Sequence, residues 1–187
     1  NKMSDIEIGD TLNIIYPLGN GFTIPVGTRQ ATSVQKRQST SVLMVGGGIG
    51  IAPLYYLGKM LKEKGIEPQF LLGGRSKSDL IMLEDFEKVG KVYITTNDGT
   101  LGEQGFVTQH SIWKEKKFDM IYTCGPKPMM MAVTKIAREN NIECEVSLEN
   151  LMACGLGACL CCVENTIEGN VCVCKEGPVM NINKLLW

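Results

Sequence analysis

From Ser41 onward the chain alternates short apolar runs with stretches of helical periodicity, and this alternation constrains its fold more than any other feature. SVLMVG, Ser41 to Gly46, has the length and content of a buried strand. It runs directly into GGIGIAPLYYLGKMLKEKG, where Ile51, Leu54, Leu57, Met60 and Leu61 recur at the spacing of one helical face. Further strands are expected in PQFLLGG, KVYITTND, FDMIYTCG and IECEVSLE. Helices are expected at DLIMLEDFEKV and at PKPMMMAVTKIARENN, the second opened by its proline. Strand–helix–strand order of this kind needs crossover connections, so the expected fold over residues 41–149 is α/β, a parallel sheet covered by helices on both faces.

Residues 1–30 have a different rhythm. GD, GNG and PVG turn signals separate short apolar pieces such as TLNIIYPL, the pattern of antiparallel strands. Alone they are too few for a barrel, so the segment is expected to be the C-terminal part of one, and TRQATSVQKRQSTS, polar throughout, a linker or exposed loop. At 187 residues the chain can bury a core without disulfides. A charged content of 21% with a net charge of -1 gives no single-sign field to draw it onto nucleic acid or an anionic membrane, so its partners are expected to be a small molecule or another protein. No apolar run reaches membrane-spanning length, and NKMSDIEIGD lacks the basic and apolar regions of a signal peptide. A cytoplasmic location is therefore expected. The chain opens without methionine, and it is read as a processed chain or the ordered part of a longer one.

The loop GGGIGIAP, Gly46 to Pro53, lies between a strand and a helix, where a phosphate-binding turn belongs. Glycines let the backbone approach a pyrophosphate, and the helix N-terminus offers free N–H groups and partial positive charge. Gly46, Gly47, Gly48, Gly50 and Pro53 are the candidate cofactor-binding residues here, although the spacing is not the strict GxGxxG of a dinucleotide fingerprint. The same glycines also suit a tight turn packed for its own sake. At the end of the fourth strand stands Cys124-Gly125-Pro126, and ligands of open parallel sheets gather at the carboxyl ends of strands. Gly125 and Pro126 are accordingly candidate nucleotide contacts, and Cys124 the candidate catalytic residue beside the reacting ring. A small buried hydrophobe is the plainer reading of Cys124. Arg75, after the second strand, is placed at the adenosine ribose, with a surface ion pair as its alternative. No acidic residue stands immediately at that strand end, so the sequence sets no preference between NAD and NADP. The TTNDGTLGEQG loop is expected to close over a ligand or simply to connect. The one histidine, His110, is read as a surface residue rather than a base.

Six of the eight cysteines crowd between Cys154 and Cys174. In a reducing compartment such a cluster binds metal more often than it forms bridges. Cys154, Cys159 and Cys162 form C-x4-C-x2-C, the ligand spacing of a plant-type [2Fe-2S] cluster. Gly155, Gly157 and Ala158 suit it, because small residues let backbone N–H groups turn toward the sulfur atoms. Structural zinc is the rival, but its two short-spaced pairs would have to be Cys159 with Cys162 and Cys172 with Cys174. The second pair is too close, and Cys154 is left idle. For the fourth cluster ligand Cys174 competes with Cys172, and spacing does not choose.

A dinucleotide site and a one-electron centre on one chain need a flavin between them, because hydride carries two electrons. Taken in order, PLGNGF, GGGIGIAPL, GGRSKSDL, DGTLGEQGFVT, CGPKPMM, SLENLMACGLGACLCCV and CKEGPV resemble the electron-transfer subunits of class 1B dihydroorotate dehydrogenases, members of the ferredoxin reductase superfamily. The resemblance implies a flavin-binding β-barrel ending within residues 1–30, an NAD-binding α/β domain at 41–149 and a [2Fe-2S] segment at 150–187. It implies that the cysteine before Lys-acidic-Gly-Pro closes the cluster, which selects Cys174 beside Cys154, Cys159 and Cys162 and leaves Cys172 and Cys161 as extra thiols. It further implies that electrons pass between NAD(H), FAD and the cluster. They then reach the FMN of a separate catalytic subunit that interconverts dihydroorotate and orotate, in a heterotetramer with two of each subunit. The barrel motifs that hold FAD in such proteins, an arginine-aromatic-serine type motif and a following Gly-Thr, would lie before Asn1. Two alternatives remain: a related reductase serving another partner, and a nucleotide-binding module with a structural zinc loop.

Overall fold

The computed structural model describes residues 5–12, 14, 16–25 and 40–187. The expected linker falls mostly outside them, as do several residues of the expected barrel end. Among the described residues before Pro25 there is one isolated bridge, Asn20 to Pro178, and no strand ladder.

The sheet grows from β1 (Val42–Gly47), whose six residues are all buried. A central parallel strand is covered on both faces, which is why it reads as a continuous apolar run. A short 3-10 turn leads into α1 (Ile51–Glu63), which buries Ile51, Leu54, Leu57, Gly58 and Leu61 along one stripe. β2 (Pro68–Gly74) and β3 (Lys91–Thr96) follow in parallel register, with α2 (Leu83–Val89) between them. This helix is shorter than its expected span from Asp79. Lys77–Asp79 form a 3-10 turn, and Met82, at φ 60°, sits in the left-handed region and breaks helical continuity just before Leu83. β4 (Glu103–Gln104) is a short parallel edge, then come α3 (Ile112–Glu115), β5 (Met120–Cys124), α4 (Lys127–Glu139) and β6 (Glu143–Ser147). The cysteine segment adds the hairpin β7 (Val163–Thr166) and β8 (Gly169–Cys172), one turn of helix α5 (Val173–Glu176), and β9 (Val179–Asn181).

The seven-stranded sheet runs β4-β3-β2-β1-β5-β6-β9 and is parallel except for β9, which pairs antiparallel with β6. Alternate residues of β1 feed two cores. Val42 and Met44 face α1 and α2 with Phe70, Phe86 and Tyr122, whereas Leu43 and Val45 face α4 with Ile121, Met130 and Val133. Phe70 and Phe86 meet edge to face at 4.9 Å, the geometry their ring quadrupoles favour. Because β1 lies between β2 and β5, the connections leave it in opposite directions, and a crevice opens at the carboxyl ends where Gly46 pairs with Cys124.

Candidate functional site

That crevice is a cleft of about 760 Å³. Its floor is Gly47–Ile49, one wall carries Gly73–Arg75 and Asp79, another Thr95 and Asn97, and Phe106 and Pro126 stand at the rim. Gly48 takes φ 57°, and a Cβ there would meet nothing within 4 Å, so open space lies beside a backbone turn that only glycine enters freely. No side chain caps the 3-10 turn at Gly48–Gly50 or the start of α1; the Ile51 N–H is spent on the Gly48 carbonyl and Pro53 has none, so the backbone that faces the cleft is that of Gly47–Ile49. Thr95 is 1% exposed, and its hydroxyl has no hydrogen-bond partner among the described residues. A buried, unpaired hydroxyl in the wall of a glycine-floored cleft suits a polar ligand such as a dinucleotide.

Of the residues expected from sequence, Gly47, Gly48, Arg75 and Pro126 line the cleft, whereas Gly46, Gly50, Pro53, Cys124 and Gly125 do not. Their glycines have another use. A Cβ on Gly50 would lie 2.5 Å from the backbone of Cys124, and one on Gly125 would lie 2.8 Å from the carbonyl of Gly47. These two glycines let the turns after β1 and β5 touch, which closes the floor. Cys124 is 1% exposed with its thiol 3.6 Å from Glu149 Oε1. Burial first, and the Glu149 carboxylate second, push this thiol up to about 12, so it stays protonated at neutral pH.

Arg75 Nε donates to Asp79 Oδ2 at 2.8 Å, and the Arg75 N–H reaches the same oxygen at 3.1 Å. The ion pair holds the Asp79 carboxyl below its usual range, chiefly through the Arg75 side-chain hydrogen bond. Sequence reasoning looked for an acid immediately at the strand end and passed over Asp79, four residues beyond Arg75. The Arg-x-x-x-Asp spacing was the available signal. His110 corrects its reading as a surface residue: it is 8% exposed, stacked edge-on to Tyr93, and its Nδ1 accepts from the Ile112 N–H at 2.9 Å. With Nδ1 accepting, the ring N–H lies on Nε2, 3.6 Å from Glu103. This histidine braces the start of α3.

The cysteine loop follows β6. Gly155 and Gly157 take φ 66° and 75°, and Leu160 takes φ 58°, so the backbone reverses repeatedly between Cys154 and Cys162. These reversals aim N–H groups at sulfur: Leu156 N–H donates to Cys154 Sγ at 3.3 Å, and Cys174 N–H to Cys162 Sγ at 3.3 Å. Donation from Leu156, then from Cys159, brings the Cys154 thiol down to about 6, and donation from Cys174 lowers that of Cys162. Cys172 and Cys174 shift upward, because burial and the neighbouring cysteine sulfurs both oppose their ionisation. Soft thiols held by inward N–H groups suit an iron–sulfur cluster. Among the described residues, no group of three or more His, Cys, Asp or Glu is arranged to hold a single metal ion.

A buried carboxylate ties loop and cleft together. Glu164, 7% exposed, accepts from Lys127 Nζ at 3.0 Å, Asn150 Nδ2 at 3.1 Å and Trp187 Nε1 at 2.9 Å. Burial opposes its ionisation, yet these three donors outweigh that cost and its pKa is lowered. Lys127 directly follows the Gly125-Pro126 turn, and Glu164 stands two residues after Cys162. Nothing in the sequence marked this contact, because its members are far apart in the chain.

A glycine-floored cleft at the switch point of a parallel sheet, joined to a cysteine loop, defines the nucleotide-binding part of a ferredoxin-reductase-like oxidoreductase. Residues 44–135 match the oxidoreductase NAD-binding domain, and residues 149–186 match the iron-sulfur cluster binding domain of dihydroorotate dehydrogenase B. The chain belongs to the family of electron transfer subunits of dihydroorotate dehydrogenase B (NAD(+)). It is 42% identical over 187 residues to the probable subunit of Methanocaldococcus jannaschii, covering 98% of this chain and 66% of that protein. It is 40% identical to the subunit of Caldanaerobacter subterraneus subsp. tengcongensis, covering 100% and 70%, and 37% identical to that of Shouchella clausii, covering 99% and 69%. The chain thus spans about two thirds of the length of these relatives. Among solved structures, an NADH-dependent reduced ferredoxin-NADP oxidoreductase, determined for flavin-based electron bifurcation, matches with a TM-score of 0.82 at 34% identity, covering 100% of this chain and 64% of that one. Among the described residues no helix is long and apolar enough to cross a membrane.

Proposed function

We propose that this chain is the NAD(H)- and cluster-binding part of an electron-transfer subunit, working between NAD(H), FAD and a [2Fe-2S] cluster and serving the FMN of a dihydroorotate dehydrogenase catalytic subunit in pyrimidine biosynthesis. The observation that carries this reading is the joining of a dinucleotide cleft and a cysteine loop through Lys127 and Glu164. In the cleft, Gly47, Gly48 and Ile49, ahead of α1, take the pyrophosphate, and Thr95 supplies an unpaired hydroxyl. Arg75 and Asp79 meet the adenosine ribose. Asp79 already engages the Arg75 guanidinium, so the cation that would receive a 2′-phosphate is neutralised, and this favours NAD over NADP. The Cys124-Gly125-Pro126 turn backs the nicotinamide. Only Pro126 of that turn lines the cleft; Cys124, buried behind it with its thiol pushed up to about 12, presents no thiolate.

Cys154, Cys159, Cys162 and Cys174 would hold the cluster. When bound, the cluster supplies one-electron chemistry and the flavin the exchange between hydride and single electrons. The flavin would be held by the β-barrel that the family resemblance implies. Leu151, Leu156 and Leu160, exposed by 82%, 67% and 64%, ring the cysteine loop with apolar surface suited to a protein partner. That partner is the FMN-containing subunit, in a cytoplasmic heterotetramer with two of each.

An anaerobic absorption spectrum before and after dithionite, with iron, sulfide, zinc and flavin assayed on the same sample, tests the reading. Iron and sulfide in equal amounts with a bleachable visible band support it. A colourless protein holding zinc sinks it and leaves a nucleotide-binding module with a structural loop.

A further inference from the structure

Five thiols, those of Cys154, Cys159, Cys162, Cys172 and Cys174, converge on one loop, and a [2Fe-2S] cluster takes four protein ligands. The fifth is not a bystander on the surface. Cys172 is half-buried, and its Sγ lies 3.6 Å from the Gly157 carbonyl, inside the turn that links Cys154 to Cys159. Cys161 is exposed, as is Cys159, but Cys159 also engages the Cys154 sulfur.

Cys172 and Cys174 reach the same sulfur from different surroundings. Both thiols interact with the sulfur of Cys162, but Cys174 is buried at 2% exposure and faces the Gly157 N–H, whereas Cys172 is half-buried and faces the Gly157 carbonyl. The backbone brings both to Cys162. Cys172 pairs across the hairpin with Val163, the neighbour of Cys162, and the Val173 N–H donates to the Cys162 carbonyl at 3.0 Å. The chain is extended at Cys172, with φ -85° and ψ 111°, before α5 begins. Val173 and Cys174 are both buried in the core, at 0% and 2% exposure, and Cys172 packs against them from the end of β8.

We propose that Cys172 is an alternative fourth ligand, so that the segment 172–174 presents two thiols to one coordination position and the cluster is held through either. The inference rests on the cluster reading above. Exchange between the two breaks the iron bond to Cys174 Sγ and forms one to Cys172 Sγ, and the proton of the Cys172 thiol passes to the released Cys174 thiolate. No electron changes hands.

The test compares the parent chain with C172A, C174A and C172A/C174A, all purified anaerobically, by iron and acid-labile sulfide per chain, electron paramagnetic resonance of the reduced state, and NADH affinity. Unchanged NADH affinity reports an intact nucleotide cleft. C174A is expected to keep at least half of the parent's iron and sulfide with shifted g values, C172A to keep all of it, and the double variant less than a tenth. A C174A chain as empty as the double variant overturns the proposal, as does a C172A chain that empty, a double variant that keeps its cluster, or a C174A spectrum identical to the parent's. Should C174A lose NADH affinity, C174S and C172A/C174S replace the pair: iron retained in the first and lost in the second supports the proposal, and iron retained equally or lost equally in both overturns it. A parent chain without iron and sulfide overturns the cluster reading itself, and this inference with it.

Discussion

The sheet domain and the cysteine segment are ordered by different physics. In the domain, apolar side chains pack on both faces of the sheet, and the backbone is satisfied by parallel ladders. In the cysteine segment, residues 150–162 form neither helix nor strand, and Leu151, Leu156 and Leu160 are exposed. What fixes that loop is polar and directed: N–H groups on sulfur, positive-φ glycines, and Glu164 with its three donors. A region held by burial depends on volume, whereas a region held by a few directed contacts depends on each of them.

This contrast can be broken in several ways. The largest effect is expected in the domain core. Phe70 is fully buried against Phe86, so Phe70→Ala should cost about 3–5 kcal/mol in chemical denaturation. A cost under about 1 kcal/mol would mean the core does not depend on volume there. Next comes Glu164→Gln, which removes the charge that Lys127, Asn150 and Trp187 share and should cost about 1–3 kcal/mol. Hydrogen exchange should rise in residues 150–187 and stay unchanged in β1 and β2, and a uniform rise would erase the proposed distinction. The pH dependence carries a sign. Because the Glu164 pKa is lowered in the fold, its contribution is complete above the unfolded value of about 4.3 and is lost as pH falls below it. Stripping the cluster anaerobically should open residues 150–175 to protease while the sheet stays protected, and equal cleavage of both would show one cooperative unit.

A smaller effect belongs to the cleft. Asp79→Asn should free Arg75 and tighten NADPH binding relative to NADH by roughly tenfold, read by titration, since a guanidinium at the ribose accommodates a 2′-phosphate. An unchanged ratio would remove Arg75 and Asp79 from the ribose site. The least expected change is at Cys124. Its buried, protonated thiol should resist iodoacetamide at neutral pH in the folded chain and react on unfolding, and rapid native labelling would contradict its placement.

Much of this was legible beforehand because its cause is local. β2 matches PQFLLGG residue for residue, and α1 buries four of the five apolar positions expected of it, with Met60 less covered. The helix expected from Asp79 began later, since periodicity does not register a left-handed residue such as Met82. β4 and β9 were missed for want of length: two and three residues carry no period, and they exist only because a sheet edge is there to pair with. His110 was misjudged because a polar neighbourhood in sequence says nothing about the Tyr93 ring that covers it.

The amino-acid sequence alone determined the parallel α/β plan, the glycine turn after β1 and the thiol spacing, because each is written in adjacent residues through strand content, helical period or ligand interval. Only the tertiary structure decided which glycines line the cleft and which merely let two turns touch, that Asp79 neutralises Arg75, and that Glu164 joins the loop to the cleft. The same holds for Cys172 and Cys174, which spacing does not separate but burial does, since contacts between distant segments are set by how the chain closes on itself.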